Sequence, residues 1–267
     1  MPWHNQISLS FLNPISTFDL FFFSKFPPPE VLNMTEEKTL TLLGNRDWIQ
    51  LWQQGITPWH NHSVHEVLIR YWDNLHPSDQ FTHVYVPLCG KTVDMRWLYK
   101  KGVTVVGCDI AEEAAIAFVK EHHQLTMCRT EVMLKNGEQT VVYETPDKRL
   151  KFYVCRFESM LFTGEKFDMV WDRAAFIALD PNMRQTFVDS TFELLRPDFR
   201  WLQESIEYPP GYRSIPPHSV SDAELWNLFG THGRVELLWK EADPKWSEFP
   251  WCNRRVMLYA PPTCPVS

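Results

Sequence analysis

The stretch that most constrains this chain is HVYVPLCGKTVDMRWLYKKGVTVVGCDI, from His83 to Ile110. Val84 to Val86 form a short β-prone run, Pro87 stops it, and Gly90 lets the backbone turn closely. Val93 to Lys101 has helical spacing, with Met95, Leu98 and Tyr99 apolar, and Gly102 closes it. Val103 to Val106 then rises into Gly107-Cys108-Asp109. Strand, turn, helix and second strand make the first half of a mononucleotide-binding β-α-β unit. Asp109 lies 19 residues after Gly90, where a carboxylate can accept hydrogen bonds from both hydroxyls of a ribose. An adenosine-containing cofactor follows.

At 267 residues the chain is long enough for one large α/β core. The net charge of −7 comes from well-mixed acids and bases without a basic block, which argues against nucleic acid or an anionic membrane as partner. Cys89, Cys108, Cys128, Cys155, Cys252 and Cys264 form no CxxC pair and no framework spacing. They read as reduced thiols of a cytoplasmic chain, without metal. Residues 1–33 are expected to be a disordered extension or the product of an upstream start. They lack the basic opening of a secretory signal, and Met34 opens an ordinary start of its own. Residues 34–267 are expected to form a single domain. No run approaches the roughly 20 apolar residues that span a bilayer. No heptad or apolar interface stands out, so a monomer is expected.

Further along, RDWIQLWQQ (46–54) reads as a helix with Trp48 and Trp52 on one face, followed by a stiff turn at Pro58-Trp59-His60. Residues 63–74 read as an amphipathic helix capped by Ser63, and 112–122 as another. Thr140–Tyr143 faces Phe152–Cys155 as a hairpin arm, and Phe167–Asp172 and Phe199–Ile206 read as core strands. Asp180 and Pro181 open a long helix ending near Leu195, and Ser221 with Glu224 makes a capping box. Val235–Trp239 and Val256–Tyr259 close the chain as an antiparallel pair. This order predicts an α/β fold: a mostly parallel, seven-stranded sheet with a terminal antiparallel hairpin and helices on both faces.

Ligands of such sheets bind at the carboxyl ends of the strands. Those ends bring together Leu88, Cys89 and Gly90, then Asp109, then Arg156 and Glu158, then Asp172 and Arg173. Neither GxGxxG nor GxxxxGK[ST] occurs, and one glycine in the first turn is too few for a pyrophosphate. S-adenosylmethionine has no phosphate to cradle. Its sulfonium needs aromatic faces, which Trp48, Trp52 and Trp59 would supply at roughly 0.5–2 kcal/mol each. Glu158 is placed to meet an adenine amino group. His60, His62 and His65 have a metal-like spacing but are expected to be solvated. Cys89 is not assigned as a nucleophile, because methyl transfer needs no covalent intermediate.

DWIQLWQQGITPWH, VPLCGKTVDMRWL, VVGCDI, KFDMVWDRAAFIAL and SDAELWNLFG together resemble the thiopurine S-methyltransferase family over about residues 46–260. The resemblance implies a Rossmann-like methyltransferase fold with a tryptophan-bearing helix and loop closing over S-adenosylmethionine. By motif, Trp48, Trp52, Leu88, Gly90, Asp109, Cys155, Arg156 and Arg173 would line the cofactor site. Trp59 and Arg173 would meet the acceptor. Asp109 stands where the animal enzymes have glutamate, Trp59 where phenylalanine is common, and EADPKWSEFPWCNRR follows the family poorly. The implied reaction is methyl transfer to a small aromatic or heterocyclic thiol, with Arg173 stabilising the anionic acceptor. Two alternatives stand beside it: methylation of halide or inorganic sulfur and selenium anions, and a silent cofactor-binding protein.

Overall fold

The computed structural model describes residues 47–242 and 253–262. The expectations for residues 1–33, for Cys252 and Cys264, and for most of EADPKWSEFPWCNRR lie outside them.

Nine strands form one sheet in the order β3-β4-β5-β2-β1-β6-β7-β9-β8. The strands at its centre are β1 (His83–Val86), β2 (Thr104–Asp109), β5 (Leu150–Val154), β6 (Phe167–Arg173) and β7 (Leu195–Glu207). All their mutual pairings are parallel. Such strands are covered on both faces, and their sequences read as near-continuous apolar runs for that reason. Alternation then sorts the side chains. Val84, Val86, Val105, Met169 and Trp171 enter one core, while Tyr85, Val106, Phe167, Val170 and Trp201 enter the other.

Seven strands make the expected frame, closed by the antiparallel strands β8 (Arg234–Ala242) and β9 (Asn253–Ala260). Two more, β3 (Cys128–Met133) and β4 (Gln139–Glu144), extend the opposite edge beyond β5. The expected arm at Thr140–Tyr143 is part of β4. Its outer partner β3 was hidden because CRTEVM is almost wholly exposed and carries no apolar alternation.

Helices α1 (Trp48–Gln53), α2 (Glu66–Arg70), α3 (Trp72–Leu75), α4 (Val93–Lys100) and α5 (Glu112–Glu121) precede β3. After β6 come α6 (Ala175–Ala178), α7 (Arg184–Leu194) and α8 (Asp222–Phe229). The segment 63–74 is not one helix opened by Ser63. It starts after His65, whose N–H donates to buried Asp94 at 2.8 Å, and it breaks at Tyr71. Burial of His65 fixes the chain there more firmly than a serine cap would. The cap at Ser221 forms as expected, accepting from Glu224 N–H at 3.1 Å, whereas Asp180 accepts from Asn182 N–H at 3.0 Å and caps only a 3-10 turn, Pro181–Met183, with α7 starting beyond it at Arg184.

Candidate active site

The carboxyl ends of β1, β2, β5 and β6 open into a cavity of about 280 Å³. Its lining includes every residue assigned to the site from sequence: Trp48, Trp52, Trp59, Leu88, Gly90, Asp109, Cys155, Arg156 and Arg173. Glu158 lines it as well.

The floor is built by backbone. Gly90 has φ +52°, and a Cβ there would stand 3.0 Å from the Trp52 ring, so the indole packs directly on the turn. Leu88 (φ +44°) and Ala174 (φ +67°) hold positive φ without being glycine, and both line the cavity. Strain of this kind concentrates where a ligand site over-determines the backbone. Asp109 accepts from Gly90 N–H at 2.9 Å and from Ala111 N–H at 3.1 Å, one bond on each oxygen. The acid thus braces the turn, and the Ile110 N–H also bears on it. Burial pushes its carboxyl up to about 6, against the opposing backbone hydrogen bonds.

Three indoles make the roof. Trp59 meets Trp48 edge-on at 5.3 Å and Trp52 at 5.9 Å. Behind them Leu51 is fully buried against Trp48, Ile56, Trp59 and Ile215, which joins α1 to the loop that brings Pro216 and Pro217 to the cavity. Arg173 at the end of β6 donates to the Trp59 carbonyl at 3.0 Å and so pins this roof to the sheet. Asp172 beside it points to the other face, where it accepts from Gln203 at 2.9 Å and from Phe176 N–H at 3.2 Å.

Glu158 pairs through Oε1 with Arg156 at 2.9 Å, and its buried Oε2 has no hydrogen-bond partner among the described residues. A buried acceptor of this kind awaits a donor. Arg156 lines the cavity with a side chain that is 58 % exposed and paired to Glu158. Burial raises the Cys89 and Cys155 thiols and holds Cys108 at about 12, so none offers a thiolate near neutral pH.

The histidines are a correction. The His60 side chain is 5 % exposed and His65 is buried, and only His62 is solvated. Burial, together with nearby Lys91, lowers His60 to about 4, so it is neutral at pH 7. The solvated reading fails because His60 and His65 approach Glu121 (3.4 Å) and Glu204 (3.2 Å), partners 61 and 139 residues away that no local pattern reveals. Sequence reasoning also missed Asp94, which lines the cavity and takes both the His65 N–H and the Trp171 indole N–H at 2.8 Å. In sequence it looks like an ordinary acid in the first turn of a helix.

A family model described as thiopurine S-methyltransferase matches residues 43–248. The thiopurine S-methyltransferase of Bos taurus is 31 % identical over 206 residues, 77 % of this chain and 82 % of that protein. That of Lynx rufus is 31 % identical over 225 residues, 84 % and 88 % of the two chains. Among solved structures, Haemonchus contortus phosphoethanolamine N-methyltransferase 2 in complex with S-adenosyl-L-methionine superposes with a TM-score of 0.56 at 11 % identity, covering 89 % of this chain and 62 % of that one. Burkholderia thailandensis 1,6-didemethyltoxoflavin-N1-methyltransferase, with S-adenosylhomocysteine bound, gives 0.54 at 16 % identity, covering 89 % and 94 %. At such identities these two share the fold with this chain.

Proposed function

Since the chain belongs to the thiopurine S-methyltransferase family, we propose that it transfers a methyl group from S-adenosylmethionine to a small aromatic or heterocyclic thiol. One observation carries the reading. A glycine turn braced by a strand-end acid faces an orphaned carboxylate oxygen across one cavity, beneath three indoles. These groups match an adenosine with a sulfonium tail. Asp109 would accept from the ribose, Glu158 Oε2 from the adenine amino group, and the close approach at Leu88–Gly90 would admit the amino-acid tail. Cys155 and Arg156 would flank the adenine, and Trp48 and Trp52 would face the cation.

When bound, S-adenosylmethionine supplies an activated methyl group whose leaving group is a neutral thioether. The chain's own part is alignment and exclusion of water. Trp59, Ile177, Leu179 and Met183 give the cavity apolar lining that would suit a planar acceptor, and Arg173 would pair with the thiolate. An acidic aromatic thiol is ionised enough near neutral pH to react without a strong base.

The described residues contain no helix long and apolar enough to cross a membrane. Buried free thiols at Cys89, Cys108 and Cys155 fit a reducing compartment, and we place the reaction in the cytosol on one monomeric domain. Calorimetry with S-adenosylhomocysteine tests the cofactor, and a radiolabelled methyl-transfer screen across thiols, thiopurines and halides tests the acceptor. Absence of binding would remove the reading, and label appearing on halides alone would replace it.

A further inference from the structure

The roof and the floor of the cavity meet again outside it, on α5. Glu121, the last residue of that helix, does not line the cavity, but it reaches two residues that do. Its Oε1 accepts from Lys91 Nζ at 2.5 Å, and Lys91 follows Gly90 in the turn that forms the floor. Its Oε2 lies 3.4 Å from His60 Nε2, and His60 follows Trp59 in the roof. Both partners are inward: the Lys91 side chain is 15 % exposed and that of His60 5 %. Burial works against the charge on Glu121, but Lys91 foremost, then His60 and His122, hold its carboxyl below the ordinary value. An ionised carboxylate only accepts, so it favours the tautomer of neutral His60 that carries its proton on Nε2. That nitrogen is buried and makes no hydrogen bond among the described residues, although its acceptor stands 3.4 Å away. A small movement of the turn would complete the bond. Arg173 already holds the Trp59 carbonyl at 3.0 Å. The roof is thus fastened at residue 59 and half fastened at residue 60.

We propose that Glu121 is a positioning residue that clasps the roof turn to the floor turn, through His60 and Lys91, and so sets how long S-adenosylmethionine stays bound. The proposal rests on the reading that this cavity holds that cofactor. A ligand held between the indoles and the Gly90 turn is released as the two turns separate. Contacts between the turns that form over the bound ligand therefore slow its departure and leave its arrival almost unchanged. The His60–Glu121 hydrogen bond would be such a contact, and the Lys91 pair keeps its acceptor aimed. The Glu121 side chain is 34 % exposed, so its loss costs the fold little.

Surface plasmon resonance on the immobilised full chain gives the association and dissociation rates of S-adenosylhomocysteine. Glu121→Ala should raise the dissociation rate about tenfold and Glu121→Gln about threefold, as for a hydrogen bond to a charged group lost or weakened. The association rate and the melting temperature of the ligand-free chain should stay as in the wild type. Lys91→Gln should speed dissociation too, and E121A should add less in a K91Q chain than in the wild type, because both act through one clasp. In nitrogen-15 spectra of labelled histidine, the His60 Nε2–H signal should move on S-adenosylhomocysteine binding in the wild type and stay still in E121A. An unchanged dissociation rate in E121A overturns the proposal, as does a His60 signal that behaves alike in both chains. A slower association with a lower melting temperature would mark a merely structural role and overturns it equally. Any of these with normal wild-type binding refutes this inference alone. Absence of S-adenosylhomocysteine binding to the wild-type chain refutes the cofactor reading it rests on.

Discussion

The two halves of the cavity are made by different means. On the β1–β2 side the decisive contacts are backbone ones: Gly90 N–H and Ala111 N–H on Asp109, and an indole laid on a glycine. On the β6–β7–β9 side they are side-chain contacts between distant segments: Arg173 on the Trp59 carbonyl, Glu204 against Arg254 and His65, and Asp94 under Trp171. A backbone turn accepts one shape of ligand and tolerates little change. Contacts between distant side chains can be retuned by one substitution. The first half suits a constant cofactor, and the second an acceptor that varies within a family.

This contrast can be broken at graded points. The largest effect is expected for Gly90→Val, which places a branched side chain at φ +52° and against Trp52. Binding of S-adenosylhomocysteine should weaken by about 100-fold or more in calorimetry, with the circular dichroism spectrum retained, and near-normal binding would deny the backbone its role. Next, Asp109→Asn should cost about tenfold or more, the range for a hydrogen bond to a charged group. Because burial holds Asp109 at about 6, the wild-type carboxylate gains a proton as pH falls through that value and loses acceptor capacity. Wild-type affinity should therefore decline below pH 6 and that of D109N should stay flat, and parallel curves would assign the pH dependence elsewhere.

On the other wall, Arg173→Lys should lower kcat/KM for thiols by about tenfold, since lysine lacks the planar fork that can hold the Trp59 carbonyl and face the cavity at once. A larger loss in cofactor affinity than in turnover would move Arg173 to the cofactor half. The smallest change is expected for Trp59→Phe, a shift of about two- to fivefold in acceptor KM, as for the loss of part of one aromatic contact. An unchanged KM would take Trp59 off the acceptor wall.

The parts legible in sequence were those whose partners lie close along the chain. Gly90 and Asp109 are separated by one helix, and the Trp48–Trp52 pair lies one helical turn apart, so periodicity and turn chemistry sufficed. The caps at Asp180 and Ser221 were legible for the same reason. His65, by contrast, looked solvated until Glu204, 139 residues away, was beside it. The edge strand β3 carried no apolar pattern because its side chains stay in water. Arg156 followed a strand end as a ligand would, but its pairing with Glu158, two residues on, was not legible there.

What this sequence determined alone is the order of the central strands and the helices between them, the turn at Gly90 and the acid behind it. Local sterics and hydrophobic alternation encode those directly. What tertiary structure decided is which buried charges meet on the β6–β7–β9 side. Arg173 and Glu204 share a face because strand register, set by the burial of β6 and of the later part of β7, puts them opposite each other.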